Sequence, residues 1–336
     1  GPGGEVIPDN IITKAPSGRT ARARVYSGFY DVPRWDAWKW WSNGLRVFNG
    51  ADAQYGDTHG AFSWLASAGA RNNRGYRLKD DFLRWNANAK ASYRFTPERA
   101  LSVAFNHASD DHGNWVYWRD LQHALVPPAT SDLGERIVSV KTQVSAQYRE
   151  TVNTRFAWSL RGFVYRTSFE TSSDTSDFHF RPTDKTQSTA SVYSLEWQGT
   201  VSLFDGNMLV AGIDGAFTSI QSRTYNNRTG STAALYVQDE FMHGDWSITP
   251  GLRFDSFRIK ADQAGFGGVA ASLSGNATSP KLGVLYRASP EWSVFGNYAA
   301  GFRAPNAGQV NAFFENPVGN YRSVPNANLR PEKSQN

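Results

Sequence analysis

The amino-acid sequence predicts an all-β fold, an antiparallel transmembrane β-barrel. Apolar and polar residues alternate along segments of about 10–16 residues, whereas most strands in globular proteins have about 5–6. Short and long connections between these segments alternate without exception. Aromatic residues make up 14% of the chain, which suits the aromatic girdles of membrane barrels. Long, tilted strands are what a barrel needs to cross a bilayer.

The connections are of two kinds. The short ones carry turn residues and lie at 55–57, 96–98, 151–153, 205–206, 243–245 and 289–291. The long ones are polar and lie at 32–43, 71–82, 112–134, 168–187, 222–229, 263–274 and from 301 onward. The pair Asp205-Gly206 is the strongest turn signal, because a tight hairpin needs positive φ. Short turns at one end and long loops at the other are typical of outer-membrane barrels.

Thirteen strands follow from this division. They are predicted near 19–31, 44–54, 58–70, 83–95, 99–111, 135–150, 154–167, 188–204, 207–221, 230–242, 246–262, 275–287 and 291–300. If the first strand rises from the periplasm, every odd strand rises and the thirteenth ends outside. The loop from 301 therefore lies on the extracellular side.

Each predicted strand has two different faces. In 188–204, one face carries Tyr193, Leu195 and Trp197, and the other carries Ser194, Glu196 and Gln198. A half-buried sheet of a soluble protein shows the same alternation. Strand length therefore decides in favour of the membrane barrel.

Composition and charge allow a protein of an oxidising compartment and argue against a nucleic-acid-binding protein. The chain has no cysteine, so it needs no disulfide and is compatible with an oxidising periplasm. Its net charge of +5 comes from 35 basic and 30 acidic residues that are interspersed along the chain. Without a basic run interleaved with aromatic residues, no nucleic-acid partner is expected.

The C-terminal part of the chain carries the most specific motifs. Phe302-Arg303-Ala304-Pro305 is followed, after a long loop, by the stretch from Asn326 to Glu332, NANLRPE. Upstream lie AALYVQDE at 233–240, WSITPGLRFD at 246–255 and SPKLG at 279–283. In this order they resemble the strand pair and the FRAP…NPNL loop of TonB-dependent outer-membrane receptors. The resemblance covers roughly 230–332, and it implies a barrel of 22 strands.

The resemblance also implies a domain organisation. Residues 1–18 resemble the C-terminal end of the plug domain, although Pro8-Asp9 interrupts the expected motif. Residues 19–336 would be the N-terminal part of the barrel, ending in the FRAP-like loop. We therefore expect a fragment, in which the TonB box and about nine strands are absent.

The function implied by the resemblance is uptake of an iron complex through the Gram-negative outer membrane. Outer loops would capture the ligand, and the TonB–ExbB–ExbD complex would open a path by acting on the plug. A ferric siderophore is favoured. Haem is the alternative, and a cobalamin receptor or a passive porin is less favoured. The expected partners are the iron chelate, the TonB complex and outer-membrane lipid, with no cofactor.

The FRAP-like loop provides the first candidate ligand-binding residues. The loop has no histidine between Pro305 and Asn326, so the usual haem ligand of the resembled family is missing. A tyrosine phenolate can also ligate haem iron. The candidates are Tyr321 as iron ligand, Phe313 and Phe314 as stacking surfaces, Arg303 for an anionic group, and Asn306. The alternative is that the aromatic residues pack the loop against the rim and that Arg303 pairs with a carboxylate.

Tryptophans in two other outer loops provide the second group of candidates. The first loop contains Trp35, Trp38, Trp40 and Trp41, and the third contains Trp115, Tyr117 and Trp118. They are interpreted either as an interfacial aromatic belt or as a stacking surface for an aromatic or macrocyclic ligand.

No constellation of catalytic residues is found, and the chain is not expected to be an enzyme. The sequence contains no HExxH, Gly-x-Ser-x-Gly or phosphate-loop motif. Asp110-Asp111-His112 contains ligand types that metals accept. Adjacent residues on a strand point to alternating sides, so these three are not expected to converge on one ion.

Overall fold

The computed structural model describes residues 18–115, 118–127, 136–172, 186–222, 227–261, 272–306, 310, 314–316, 321–323, 326 and 328–336. Of Ser172, Thr186, Ala261, 314–316 and 321–323 only the backbone is described.

Among the described residues, fourteen strands form one antiparallel sheet in chain order. They are β1 Thr20–Tyr30, β2 Arg46–His59, β3 Phe62–Asn73, β4 Phe82–Thr96, β5 Arg99–Gly113, β6 Arg136–Asn153, β7 Phe156–Ser172, β8 Thr186–Val201, β9 Asn207–Ser222, β10 Arg228–His243, β11 Trp246–Ala261, β12 Leu273–Arg287, β13 Ser293–Arg303 and β16 Glu332–Gln335. The short strands β14, Phe314–Asn316, and β15, Tyr321–Ser323, pair separately. A short 3-10 helix covers Asp36–Trp38.

All thirteen predicted strands are present, and each pairs with the next along the chain. Their long period-two patterns were sufficient to locate them, because a strand with two different environments must alternate along its whole length. The alternation of short turns and long loops is likewise confirmed.

Two short turns lie further along the chain than predicted. The residues predicted as the third turn, 151–153, belong to β6, and the chain turns at 154–155. The difference is larger for the first turn. Tyr55-Gly56-Asp57, predicted as the turn, belongs to β2, and Asp57 pairs with Trp64 of β3. The chain reverses instead at Gly60, which has φ +58°. A glycine adopts this conformation without the Cβ clash that other residues suffer, so Gly60 is the better turn residue.

The C-terminal residues return to the sheet, which the sequence did not predict. Glu332–Gln335 pairs with β13, with Arg303 opposite Glu332 and Ala300 opposite Gln335. The region from 301 is therefore not loop throughout. It contains the hairpin β14–β15 and ends in a descending strand.

The register separates the sheet into two faces. On one, cross-strand partners form apolar rows, such as Tyr148, Leu160, Trp197, Ile213, Leu235 and Phe254. We call this the outer face. Many of its large side chains are exposed, among them Leu195, Ile213 and Leu235. The opposite, polar face is called the inner face. Exposed apolar rows of this length suit contact with lipid.

Within the described ranges, no helix has both the length and the apolar character needed to cross a membrane.

Candidate functional site: loops and inner face of the sheet

Loops that follow odd-numbered strands gather at one end of the sheet, because neighbouring strands are antiparallel. The described loop residues here are 31–45, 74–81 and 114–115 with 118–127, which we call the outer-loop cluster. The region after β13 lies at the same end. This placement agrees with the predicted separation of long loops from short turns.

Trp40 and Trp41 hold the first two loops together. The Trp41 side chain is buried, with 8% exposure, and its ring lies 6.0 Å from that of Tyr76. The indole N–H of Trp40 donates to the carbonyl oxygen of Tyr76 at 3.0 Å. The Arg46 guanidinium lies 4.5 Å from the centre of the Trp40 ring. These two tryptophans pack the loops and leave little surface for a ligand.

Trp35 and Trp38 lie differently. Their rings are 4.9 Å apart, and the indole N–H of Trp38 donates to the carbonyl oxygen of Leu121 in the third loop at 3.0 Å. Trp35 remains 52% exposed, with the guanidinium of Arg34 5.0 Å from its ring. Trp38 is therefore held in place, while Trp35 presents an aromatic face beside a cation.

The third loop packs against the second. The backbone N–H of Leu78 donates to Leu125 at 2.9 Å, and the Arg77 guanidinium lies 4.8 Å from the ring of Trp115. Trp118 is half exposed. Tyr117 lies outside the described residues. Three loops that are distant in sequence thus form one packed unit.

Ion pairs strengthen this unit. Arg136 contacts Asp81 at 2.7 Å and Asp111 at 2.8 Å. Burial acts to raise the pKa of Asp120, but hydrogen bonds from the ring and backbone N–H of His123 outweigh it and lower that pKa. Asp120 therefore stays ionised at neutral pH.

Asp110, Asp111 and His112 alternate between faces, as predicted. Asp110 and His112 share the inner face, where Arg84 contacts Asp110 at 2.8 Å. His112 Nδ1 is 3.4 Å from Asp110 Oδ1, within ion-pair range but without an aligned hydrogen bond. Guanidinium groups therefore engage both carboxylates. The described residues contain no group of three or more His, Cys, Asp or Glu side chains suited to a metal ion.

The FRAP-like loop is tied together through Val310. The N–H of Val310 donates to the Asn306 carbonyl oxygen at 3.2 Å, and the Val310 carbonyl accepts from the N–H of Asn326 at 2.8 Å. Val310 is completely buried. Arg303 lies 3.9 Å from Glu332, and both side chains are exposed, so this ion pair is weak.

The structure describes only part of the predicted site in this loop. Tyr321 lies opposite Asn316 in the β14–β15 hairpin, and Phe314 lies opposite Ser323. Their side chains and the whole of Phe313 lie outside the described residues. The role of Tyr321 as an iron ligand therefore remains a prediction.

Sequence reasoning missed a charged cluster on the inner face of β8 to β11. Arg253 contacts Asp214 at 2.8 Å and Asp255 at 2.9 Å. The Tyr236 hydroxyl lies 3.1 Å from Gln198 and 3.4 Å from Glu196. We call Glu196, Asp214, Tyr236, Arg253 and Asp255 the inner-face cluster. These residues occupy the polar positions of four consecutive predicted strands. Aligning those strands side by side would have shown that the charged residues lie close together.

The inner face of β1 to β6 has the opposite charge balance. The register places basic side chains there at Arg22, Arg24, Arg71, Arg84, Lys90, Arg94, Lys141 and Arg149. The carboxylates on the same surface are Asp52 and Asp110, and each already contacts an arginine. Excess positive charge therefore lines this half of the inner face.

The fold and its faces define a class, that of outer-membrane β-barrels. Residues 13–336 match the family described as TonB dependent receptor-like, beta-barrel. The chain belongs to this family, whose members are outer-membrane transport receptors and not enzymes.

Two relatives are similar over parts of the chain. A metal-pseudopaline receptor CntO of Pseudomonas aeruginosa is 30% identical over 89 residues, which are 25% of this chain and 12% of the receptor. The iron-regulated outer membrane virulence protein of Vibrio cholerae is 27% identical over 133 residues, 39% of this chain and 19% of that protein. The matched segments thus span only a small part of either relative.

Solved structures share the fold. The ferric-catecholate import receptor Fiu of E. coli superimposes with a TM-score of 0.69 at 12% identity over 97% of this chain and 56% of Fiu. The hemophore receptor HasR of Serratia marcescens has a TM-score of 0.69 at 13% identity, over 94% of this chain and 50% of HasR. The siderophore receptor PirA of Pseudomonas aeruginosa has a TM-score of 0.66 at 16% identity, over 96% of this chain and 52% of PirA. The chain spans about half of each of these proteins.

Proposed function

We propose that the chain forms the ligand-capturing part of a TonB-dependent receptor that imports an anionic iron complex, with a ferric siderophore as the cargo. Family membership supports the receptor class. The observation that carries the cargo is the excess of cations on the inner face of β1 to β6. Arg22, Arg71 and Lys141 have no ion-pair partner within the described ranges.

Charge selects an anion for a physical reason. A concave surface lined by one sign of charge raises the local concentration of ligands of the opposite sign. Ferric chelates that carry net negative charge fit such a surface, and guanidinium groups hydrogen-bond to carboxylate oxygens in pairs. The names of two similar proteins also favour a metal complex as cargo, since one is a metal-pseudopaline receptor and the other is a ferric-catecholate import receptor.

Capture would begin at the outer-loop cluster. Trp35 offers an exposed ring beside Arg34, a combination that suits an anionic ligand with flat aromatic groups. The Trp38 ring lies 4.9 Å from that of Trp35 and is held by its hydrogen bond to the third loop. The complex would then move down the basic inner face.

The remaining parts of the proposal come from the family resemblance. Residues 1–18 would end a plug, and the TonB–ExbB–ExbD complex would act on that plug. Arg303, Asn306 and Tyr321 would line the entrance from the FRAP-like loop. Haem, with Tyr321 as iron ligand, is the alternative outcome of the test.

The test is a ligand titration of the receptor purified in detergent. Ferric tris-catecholate, ferric hydroxamate, ferric citrate and haemin are titrated while tryptophan fluorescence is followed. Replacement Trp35→Ala should weaken binding of the preferred ferric chelate about tenfold, since exposed aromatic anchors often dominate a binding surface. The control is Trp292→Ala, an exposed tryptophan next to a short turn at the opposite end of the sheet.

A second variant tests the basic surface. Replacement Arg71→Glu should weaken binding of the chelate by about tenfold at low salt and less at high salt, because screening shortens the reach of exposed charges. The proposal would be overturned if Trp35→Ala and Arg71→Glu bound the preferred ferric chelate with the same affinity as the control Trp292→Ala. Tight haemin binding with a Soret band that shifts in Tyr321→Ala would replace the siderophore by haem.

A further inference from the structure

The sequence contains two Asn-Gly pairs that lie close together. Asn43-Gly44 is near the end of the first outer loop, and Asn49-Gly50 lies within β2. Both asparagines are exposed. An asparagine that precedes glycine can lose its side-chain amide without an enzyme, because glycine has no Cβ to hinder attack by its own backbone nitrogen. The two sites share this chemistry, so only the surrounding structure distinguishes them.

The surroundings of Asn43-Gly44 are open. Gly44 has φ +81°, and a Cβ atom placed on it would meet nothing within 4 Å. Neither residue forms a hydrogen bond with any other residue that the structure describes. The next residue, Leu45, is 57% exposed. No contact in the described part of the chain therefore prevents the Gly44 nitrogen from turning towards the Asn43 side chain.

The backbone of Asn49-Gly50 is held on both sides. Gly50 pairs with Tyr26 of β1 and with Arg71 of β3. A Cβ atom at Gly50 would lie 2.5 Å from Cζ of Tyr26, so the tyrosine ring covers this glycine. To bring the Gly50 nitrogen to the Asn49 side chain, β2 would have to leave its extended conformation and break hydrogen bonds with its neighbours. Exposure of the Asn49 side chain is therefore not sufficient for reaction.

We infer that Asn43 is a site of spontaneous deamidation in the folded receptor, whereas Asn49 is protected. The Gly44 nitrogen attacks Cγ of Asn43, and the side-chain amide leaves as ammonia with the proton of the Gly44 N–H. Water then opens the resulting succinimide ring at one of its two carbonyl carbons, and the Gly44 nitrogen regains a proton. The product is aspartate or isoaspartate, and water is the only co-reactant.

Deamidation acts on the join between the first loop and β2. Trp41, two residues before Asn43, is buried and packs against Tyr76. Arg46, three residues after Asn43, donates to the Gly75 carbonyl oxygen at 2.8 Å. Either product adds a negative charge between these two contacts, and isoaspartate also lengthens the backbone by one carbon. The consequence for cargo rests on the proposed function, because a new carboxylate in the outer-loop cluster repels an anionic chelate.

The experiment follows both asparagines while the purified receptor is incubated at mildly alkaline pH. Peptide mapping by mass spectrometry measures deamidation, and labelling with isoaspartyl methyltransferase measures isoaspartate. In the folded receptor, Asn43 should react at least about tenfold faster than Asn49, which reacts only when β2 opens. In guanidinium chloride the two rates should be similar, because both asparagines then precede a glycine in an unfolded chain. Equal rates in the folded receptor, or an equally large difference in the denatured chain, would overturn the inference.

Matched variants separate the modification from its effect on binding. Asn43→Gln should abolish isoaspartate formation in the first loop, since attack on the longer side chain requires a less favourable ring, and the control Asn49→Gln should leave it unchanged. Asn43→Asp carries the charge of the product and should weaken binding of the ferric chelate about threefold at low salt, but not at high salt. Deamidation at Asn43 with unchanged chelate binding in Asn43→Asp would support the modification and count against the proposed function.

Discussion

The two halves of the inner face share one architecture and differ in charge. In β1 to β6, cations outnumber carboxylates, and Arg22, Arg71 and Lys141 have no ion-pair partner in the described part of the chain. In β8 to β11, carboxylates surround Arg253, which contacts both Asp214 and Asp255. In both halves, neighbouring strands pair antiparallel in chain order.

This difference separates two uses of charged residues. A guanidinium held by two carboxylates and next to Tyr236 is fixed in place and stiffens the wall. A guanidinium without a partner contributes little to stability and keeps its charge available for a ligand. We therefore expect variants of the β8–β11 half to change stability, and variants of the β1–β6 half to change binding.

The largest loss of stability is expected for Arg253→Ala. Removing the guanidinium leaves Asp214 and Asp255 close together without their shared cation. This should lower the free energy of unfolding by about 2 kcal/mol, a value reduced from that of a buried pair because the site is partly exposed. The measurement is the urea midpoint of the receptor in detergent. Arg149→Ala, on the same cross-strand row in the other half, is the control and should change stability little. An equal loss in both variants would remove the distinction between the halves.

A smaller effect is expected for Tyr236→Phe. The replacement keeps the ring and removes the hydroxyl that contacts Gln198 and Glu196. The loss should be about 1 kcal/mol, the net contribution of a typical hydrogen bond. The control is Tyr26→Phe in β1, because the Tyr26 hydroxyl has no hydrogen-bond partner among the described residues. A stability change in Tyr26→Phe as large as that in Tyr236→Phe would contradict the comparison.

The smallest loss of stability is expected for Arg24→Gln. Arg24 and Asp52 form an exposed ion pair at 2.7 Å, and such pairs contribute about 0.2–1 kcal/mol. The difference from the unmodified receptor should disappear in about 1 M salt, where the Debye length is about 3 Å. Urea midpoints at low and high salt measure it. A loss that persists at high salt would indicate that Arg24 contributes through packing.

Strand positions were predictable because they depend on local pattern. All thirteen predicted strands are present, since a period-two pattern over long segments leaves little choice of conformation. The predicted turn at 55–57 was wrong because two turn signals lie close together, and only pairing with β3 selects Gly60. Strand β16 was missed because four residues, Glu332–Gln335, have too little pattern to reveal a strand.

The roles of the tryptophans were not predictable from the sequence. Trp38 and Trp40 are both in the first loop, yet Trp40 bonds to Tyr76 and Trp38 bonds to Leu121, which is 83 residues away in sequence. The exposure of each ring depends on which distant loop covers it. Sequence reasoning could therefore name the four tryptophans as candidates, but could not distinguish Trp41, which is buried, from Trp35, which is exposed.

The sequence by itself determined the fold class, the family, the order of the strands and which end of the sheet carries the long loops. The family was implied by the resemblance of the C-terminal motifs, whereas the other three properties follow from alternation and turn chemistry, which act over a few neighbouring residues. Only the tertiary structure decided which charges find partners and which aromatic rings remain exposed. These properties depend on cross-strand register and on loop packing, which bring together residues that are far apart in the chain.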